Sequence, residues 1–396
     1  MNTGTTRGRV ENGKLIISLS GIINSTNASR IEGEIGGIRK DHPCGSIELD
    51  CDRLEYVSSA GLRVMLRLIQ DAKGTIFTNV HPDTYEIMDM TGFTELAEVR
   101  KAYRVFSTEG CEVIGHGANG KVYRIDPDTV VKVYRNPDAL PEIHRERDLA
   151  RLAFVAGIPT AIPYDVVRIA GGGYGSVFEL LNAKSFAKLI IDGDRTLDEA
   201  ARMSIDLLKI IHSKEIRSDS LPDMRKAALD WADFLKDYLP AELHEKLRAL
   251  IAAVPEDDHL IHGDFHIKNI EYQNGEYLLI DMDTLSHGHP VFELAGMYNT
   301  YVGYGLVHPE NRREFLGISP ESCRAFWRRS LEYYLGTQDP AVIAGVEKKA
   351  KIVGLARMMR REIRHGGLER EDGRQLIEAC RAQLSDLLPA ADSLVF

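Results

Sequence analysis

Three aspartates, an asparagine and a lysine stand in this sequence at spacings that phosphoryl transfer would use. In His262-Gly263-Asp264 the aspartate is followed five positions later by Asn269, and Asp281 and Asp283 lie just beyond an Asn274-Gly275 hairpin turn. Moving a phosphoryl group asks for a carboxylate that orients or deprotonates the attacking hydroxyl. It also asks for oxygen ligands that fix magnesium on the β- and γ-phosphates. Asp264 suits the first task, and Asn269 with Asp281 suits the second. Asp283 is either a further metal ligand or a group that supports one.

The elements upstream of these residues must hold a nucleotide for that chemistry. Val113-Ile114-Gly115-His116-Gly117-Ala118-Asn119-Gly120-Lys121-Val122 has the spacing GxGxxGxV. A dinucleotide fold would open a helix at the last glycine, whereas Lys121 to Ile125 continues as strand and Asp126-Pro127-Asp128 turns into another. Strand, loop and strand predict a flap over ATP phosphates, with Gly115, Gly117, Asn119, Gly120 and Val122 against the nucleotide. Lys132 follows inside Val130 to Tyr134, placed to reach the α- and β-phosphates. A helix over 141–154 offers Glu142 and Glu146, and Glu146, in mid-helix, is the expected partner of Lys132. A surface charge pattern among Arg145, Arg147 and Asp148 is the alternative use of that helix. Tyr174 to Leu181 reads as a strand running into a connection between two lobes, where backbone groups at Glu179 and Leu181 would meet an adenine edge.

With these motifs in view, the chain from about Cys111 onward resembles the aminoglycoside phosphotransferase and choline kinase family, which shares the protein-kinase fold. His-Gly-Asp-x4-Asn and Ile280-Asp281-Met282-Asp283 carry the resemblance. Leu207 to Ser213 and His289 to Ala295 are lesser matches, and Glu293 stands where the family commonly has aspartate. The resemblance implies a bilobal α+β domain using ATP and Mg2+. The catalytic triplet lacks arginine and Glu293 arrives only twelve positions after Asp281, which leaves little room for a peptide-docking segment. A small-molecule hydroxyl is therefore the expected acceptor. Trp231, Tyr298, Tyr301, Tyr304 and Trp327 permit a cationic substrate through cation–π contact, and permit core packing equally well.

The first hundred residues change period every ten to fifteen positions, which predicts a small α/β domain. Lys14 to Leu19 reads as a strand, and Ile31, Ile35 and Ile38 mark one helix face. Ser46 to Asp50 and Thr75 to Phe77 read as further strands, and a helix is expected around Tyr85 to Met90. Tyr56-Val57-Ser58-Ser59-Ala60-Gly61-Leu62 passes from strand to helix through two serines and resembles the STAS, or anti-sigma-factor-antagonist, family. That resemblance implies a protein partner and a phosphorylated serine at the helix start: Ser59, or Ser58. A helix N-terminus tolerates phosphate, and a serine there is also an ordinary N-cap. Two further readings of the whole chain follow: a protein serine kinase acting on a STAS domain, and a nucleotide-binding switch without catalysis.

Length and charge bound these readings. At roughly 150 residues per domain, 396 residues predict two to three domains. The expected division is a STAS-like module over 1–104 and a kinase-like domain over 105–396, with lobes at about 108–182 and 183–396 and a linker around Arg104 to Glu109. A net charge of −10 removes the overall reason to expect nucleic-acid binding. No apolar run suits a membrane span or signal peptide, so the expected location is the cytoplasm. Five cysteines without a CxxC pair suggest neither a disulfide framework nor a zinc site. His262, His266, His287 and His289 are explained by the phosphotransfer motifs, with zinc as the alternative. The basic stretch Lys348 to Arg370 reads as a solvated helix face, or as a contact for nucleic acid or the other domain.

Overall fold

The computed structural model describes residues 4–11, 13–43, 46–72, 74–117, 120–181, 183–216 and 221–396. The chain forms two compact units, the first made of Met1–Cys111, Val133–Pro137 and Val166–Gly175, the second of the remainder.

In the first unit the elements run β1 (Thr5–Glu11), β2 (Lys14–Ile23), α1 (Ala28–Asp41), β3 (Ile47–Val57), α2 (Ser59–Asp71), β4 (Ile76–Val80), α3 (Pro82–Met90), α4 (Phe93–Leu96) and β5 (Glu98–Lys101). The sheet order is β1-β2-β3-β4-β5, with β1 antiparallel to β2 and the other pairs parallel. Sequence reading misses β1 because nearly all its side chains are exposed, so it carries no apolar alternation. It is found by its ladder with β2 alone. Leu15, Ile17, Leu19, Leu49, Val57 and Phe77 form the core with Ile31 and Ile35 of α1 and Leu62, Met65 and Leu68 of α2. α2 lies close on the sheet because Gly61 has no side chain: a Cβ there would fall 2.7 Å from Val57 Cγ2 and 2.8 Å from Ile23 Cγ2. Part of the expected linker is itself a strand, β6 (Arg104–Phe106), which pairs in parallel with a later strand over Asp165–Ile169.

The chain continues through β7 (Glu112–His116), β8 (Gly120–Asp126), β9 (Thr129–Tyr134), α5 (Leu140–Val155), β10 (Asp165–Ile169) and β11 (Tyr174–Glu179), with β11, β9, β8 and β7 side by side in that order. The helical remainder contains β12 (Lys184–Ser185), α6 (Phe186–Ile191), α7 (Leu197–His212), α8 (Met224–Phe234), α9 (Ala241–Ala252), β13 (Leu260–Ile261), β14 (Ile270–Gln273), β15 (Glu276–Leu279) and β16 (Ser286–His287). It ends with α10 (Val291–Tyr301), α11 (Glu310–Leu316), α12 (Pro320–Leu335), α13 (Pro340–Arg364) and α14 (Glu371–Leu387). α7 opens with a capping box between Thr196 and Glu199, and Asp339 caps α13 ahead of Pro340. α10 is buried along almost its whole length and is tied to α13 by Asn299 Nδ2, which donates to the Gly354 carbonyl at 2.8 Å. Tyr298, Tyr301, Trp231 and Trp327 lie in the cores of this unit.

Gly61→Ala should therefore loosen the first unit by about 1–3 kcal/mol through overpacking. Hydrogen exchange read by mass spectrometry should quicken in β2, β3 and α2 peptides, while α10 peptides stay unchanged. Equal exchange in both sets would contradict the close packing at Gly61.

Candidate active site

The site is assembled around an ion-paired lysine. β9 presents Lys132, and α5 presents Glu146, only 6% exposed in mid-helix. Lys132 Nζ stands 2.8 Å from Glu146 Oε1 and 3.1 Å from Asp281 Oδ1, so one ammonium bridges two carboxylates from distant parts of the chain. Glu142 is exposed in the first turn of α5.

Asp264 sits on a loop that follows β13 and is held from behind. The Glu293 carboxylate, fully buried in α10, accepts from the amides of His262 at 2.6 Å and Gly263 at 3.1 Å. Burial works to raise this carboxyl, but His212 (Nε2 3.8 Å away), the charge of His262 and the Gly263 amide hold it below the usual glutamate value. Gly263 has φ +84°, and a Cβ there would fall 2.6 Å from the Thr284 carbonyl oxygen. Only glycine combines that backbone with that approach. Thr284 Oγ1 donates back to the His262 carbonyl at 2.8 Å, and Arg357 of α13 donates to the Gly263 carbonyl at 3.1 Å.

The loop then closes on itself. Asn269 Nδ2 donates to the Asp264 carbonyl at 3.0 Å, and the Asn269 backbone amide donates to the His266 carbonyl at 2.9 Å. His266 Nε2 lies 3.5 Å from Asp264 Oδ2. Although burial pushes the Asp264 carboxyl up, His266, then His262 and Arg357, bring it down to about 2. The Ile280 amide donates to the Asn269 carbonyl at 3.0 Å, joining the loop to the end of the β14–β15 hairpin. That hairpin turns at Asn274 (φ +54°) and Gly275 (φ +91°), the two left-handed residues its tight turn requires. Asp281 is itself left-handed at φ +65°, ψ +67°, a strained conformation for a non-glycine residue that costs about 1–3 kcal/mol and that Lys132 helps to hold. Burial, then the charge of Asp281, pushes the Asp283 carboxyl up to about 7.

The flap expected over a nucleotide is the β7–β8 hairpin, in which Gly115 pairs with Val122 and the Gly117 amide donates to the Gly120 carbonyl at 2.9 Å. Asn119 lies outside the described residues. Glu179 ends β11 and Leu181 follows it, while the Leu180 amide between them donates to the Asp128 carbonyl at 2.7 Å. In the first unit, Ser58 is the N-cap of α2, its Oγ accepting from the Ala60 amide at 3.2 Å, and Ser59 is exposed at the first helical position. Among the described residues no group of three or more His, Cys, Asp or Glu side chains is placed to hold a metal ion unaided. Sequence reading missed Arg357; the signal was its place in a basic helix whose other face is apolar.

The sequence profile of the phosphotransferase enzyme family matches residues 110–324, more than half of the chain. The chain belongs to that family. A second profile, the STAS domain, matches residues 5–110, so this phosphotransferase carries an N-terminal STAS domain. The kinase-type enzyme class and the two-domain fold read from the motifs are those of these families. The STAS part is 34% identical over 91 residues to the "Putative anti-sigma factor antagonist BtrV" of Bordetella bronchiseptica, covering 22% of this chain and 78% of that protein. Among solved structures, the chain is similar to an ADP-bound aminoglycoside phosphotransferase APH(2'')-Ib (16% identity, 78% of this chain, 99% of that one, TM-score 0.47). It is also similar to a choline/ethanolamine kinase family protein from Mesorhizobium loti (18% identity, 70% and 87%, TM-score 0.45).

The Glu293 arrangement sets a pH dependence in this phosphotransferase. Because its carboxyl is depressed in the folded state, the stabilisation is complete above the unfolded value of about 4.3 and is lost as pH falls through the folded value. Glu293→Ala should cost about 3–5 kcal/mol at neutral pH by leaving the two loop amides unpaired. Glu293→Gln should be destabilised at pH 7, and its gap from the parent should narrow at about pH 3. Urea titrations followed by tryptophan fluorescence check this, since both tryptophans lie in the second unit. A gap independent of pH would show that the Glu293 charge carries none of the stability.

Proposed function

We propose that this chain is a magnesium-dependent phosphotransferase that moves the γ-phosphoryl group of ATP to a hydroxyl of a small molecule. The observation that carries the reading is Lys132 bridging Glu146 and Asp281, which sets a cation where α- and β-phosphates need one. Gly115, Gly117, Gly120 and Val122 form the flap over those phosphates, and Asn119 belongs to the same loop. The backbone at Glu179 and Leu181 meets the adenine edge.

The donor set fits magnesium. Asp281 offers a carboxylate, Asn269 its amide oxygen, and Asp283 a carboxyl kept up by burial and then by a neighbouring negative charge that a cation would offset. Two or three hard oxygen ligands suffice when phosphates and water complete the shell. Magnesium, when bound, would neutralise charge on the β- and γ-oxygens. The protein's own groups do the rest. Asp264, ionised at neutral pH, accepts the hydrogen bond of the acceptor hydroxyl and aims its oxygen at the γ-phosphorus. As the new O–P bond forms and the bond to the β–γ bridging oxygen breaks, ADP leaves and the hydroxyl proton passes to Asp264, then to water. A base with a value near 2 is weak, which suits a loose transition state where the proton moves late.

The STAS domain is assigned to a protein partner that regulates or recruits the enzyme, with Ser59, or Ser58, as the phosphorylated residue. Its likeness to a protein named as an anti-sigma factor antagonist and the exposed position of Ser59 at a helix start support this.

With magnesium and an accepted alcohol, Asp264→Asn should lower the rate of ATP consumption by about 10²–10⁴ while leaving ATP binding within about twofold. Lys132→Ala should weaken ATP binding and slow turnover together. Asp264→Asn that turned over like the parent would refute the assignment.

A further inference from the structure

Beside the phosphotransfer residues α13 carries four arginines, Arg357, Arg360, Arg361 and Arg364, none within ion-pair distance of a carboxylate among the described residues. Three of them lie over aromatic rings of the protein itself: Arg357 over Trp231, Arg360 over Phe234 and Arg361 over Tyr304. Tyr298, Tyr301 and Trp327 are packed in the core. The aromatic faces that would have suited a cationic substrate are thus already met by the chain's own cations or by its core.

Arg357 and Arg361 are one helical turn apart and share a face. Arg357 touches the Gly263 carbonyl, next to Asp264, and Arg361 donates to the Tyr304 hydroxyl at 2.7 Å. Arg361 and Tyr304 line a cavity of about 330 Å³, at the small end of the range for ligand pockets. Arg370, His308 and His365 also line it. Glu362 does too, but it is paired with Arg370, which leaves Asp372, exposed in the first turn of α14, as the other acid. The Arg361 guanidinium is held above its ordinary value, by Tyr304 first and, against burial, by the Asp264 carboxylate among other groups. Arg361, one helical turn from the arginine that holds the Gly263 carbonyl and with its ring contact supplied internally, has its remaining donors for an oxyanion.

We infer that the acceptor is a small hydroxyl compound carrying an anionic group, a carboxylate or a phosphate, which Arg361 holds in this cavity while its hydroxyl meets Asp264. This inference rests on the phosphotransferase reading and names its substrate class.

The test measures ATP consumption by the full chain with magnesium against three sets of acceptors. These are hydroxy acids and alcohol phosphates (glycerate, gluconate, glycerol 3-phosphate, glucose 6-phosphate), neutral alcohols (glucose, adenosine) and cationic ones (choline, ethanolamine, kanamycin). Turnover should fall in the anionic set and vanish in Asp264→Asn, and the hydroxy acids against the phosphates decide which oxyanion is used. Arg361→Gln should raise the acceptor KM by about 10- to 100-fold with the ATP KM within about twofold, and Arg361→Lys should recover part of the loss. Turnover confined to neutral or cationic alcohols and lost in Asp264→Asn would overturn the anionic pocket and leave the phosphotransferase reading standing. If none of these acceptors reacts, calorimetric titration of the same anions onto the ADP-loaded chain decides the pocket. Binding lost in Arg361→Gln supports it; no binding, or equal binding by both proteins, overturns it.

Discussion

The buried carboxylate of Glu293 is the constraint from which the site is built outward. A fully buried charge is costly unless its oxygens are satisfied, and here they are satisfied by the amides of His262 and Gly263. The same bonds give those amides their partners in a place where water does not reach them. Carboxylate and loop therefore depend on each other. The loop conformation leads to Asp264, the Asp264 carbonyl fixes Asn269, and the Asn269 carbonyl fixes Ile280 at the end of the hairpin. The next residue, Asp281, is the one that reaches Lys132. A chain of short contacts thus runs from the core of α10 to the ammonium on β9.

Electrostatic crowding supplies the other half of the design. Asp264, Asp281, Asp283 and Glu146 stand near one another with Lys132 as the bridging cation, and Asp283, buried first and then facing the charge of Asp281, resists ionising. Asp264 escapes that pressure because His266, His262 and Arg357 surround it. Neighbouring carboxylates thus differ in their readiness to hold a proton, the feature that allows separate roles within one site. The strained backbone at Asp281 belongs to the same economy of forces, since the ion pair to Lys132 helps to offset its conformational cost.

Much of this was legible in the sequence because the relevant signals are local. The flap glycines, the Asn274-Gly275 turn and the five-residue spacing of Asp264 and Asn269 each report on backbone a few residues away. Glu146 was readable because its mid-helix place and the lysine before it leave few partners. Other features were hidden for physical reasons. β1 has no buried face, so its membership of a sheet exists only in hydrogen bonds to β2. β6 is three residues long and takes its identity from pairing with a strand about sixty positions later. The basic stretch on α13 was visible, but whether its charges point to solvent or to a cavity depends on packing against α10, which spacing alone does not record.

That packing separates two kinds of specificity within the enzyme. The loop that holds Asp264 is tied into the core through Glu293, Thr284 and Gly263, so a change there alters folding and chemistry together. α13 divides the same two demands between its faces. Ile352, Val353, Leu355, Met358 and Met359 are buried, whereas Arg361 and Arg364 are exposed and Arg357 and Arg360 half-buried. Surface substitutions outside special contacts cost little stability. The loop around Asp264 is therefore bound to the fold, while the exposed arginines of α13 can be exchanged on a scaffold that depends little on them. On this argument the charges of Arg361 and Arg364 are the part of α13 that the fold needs least, whereas Arg357 is tied to the Gly263 carbonyl and to the Trp231 ring.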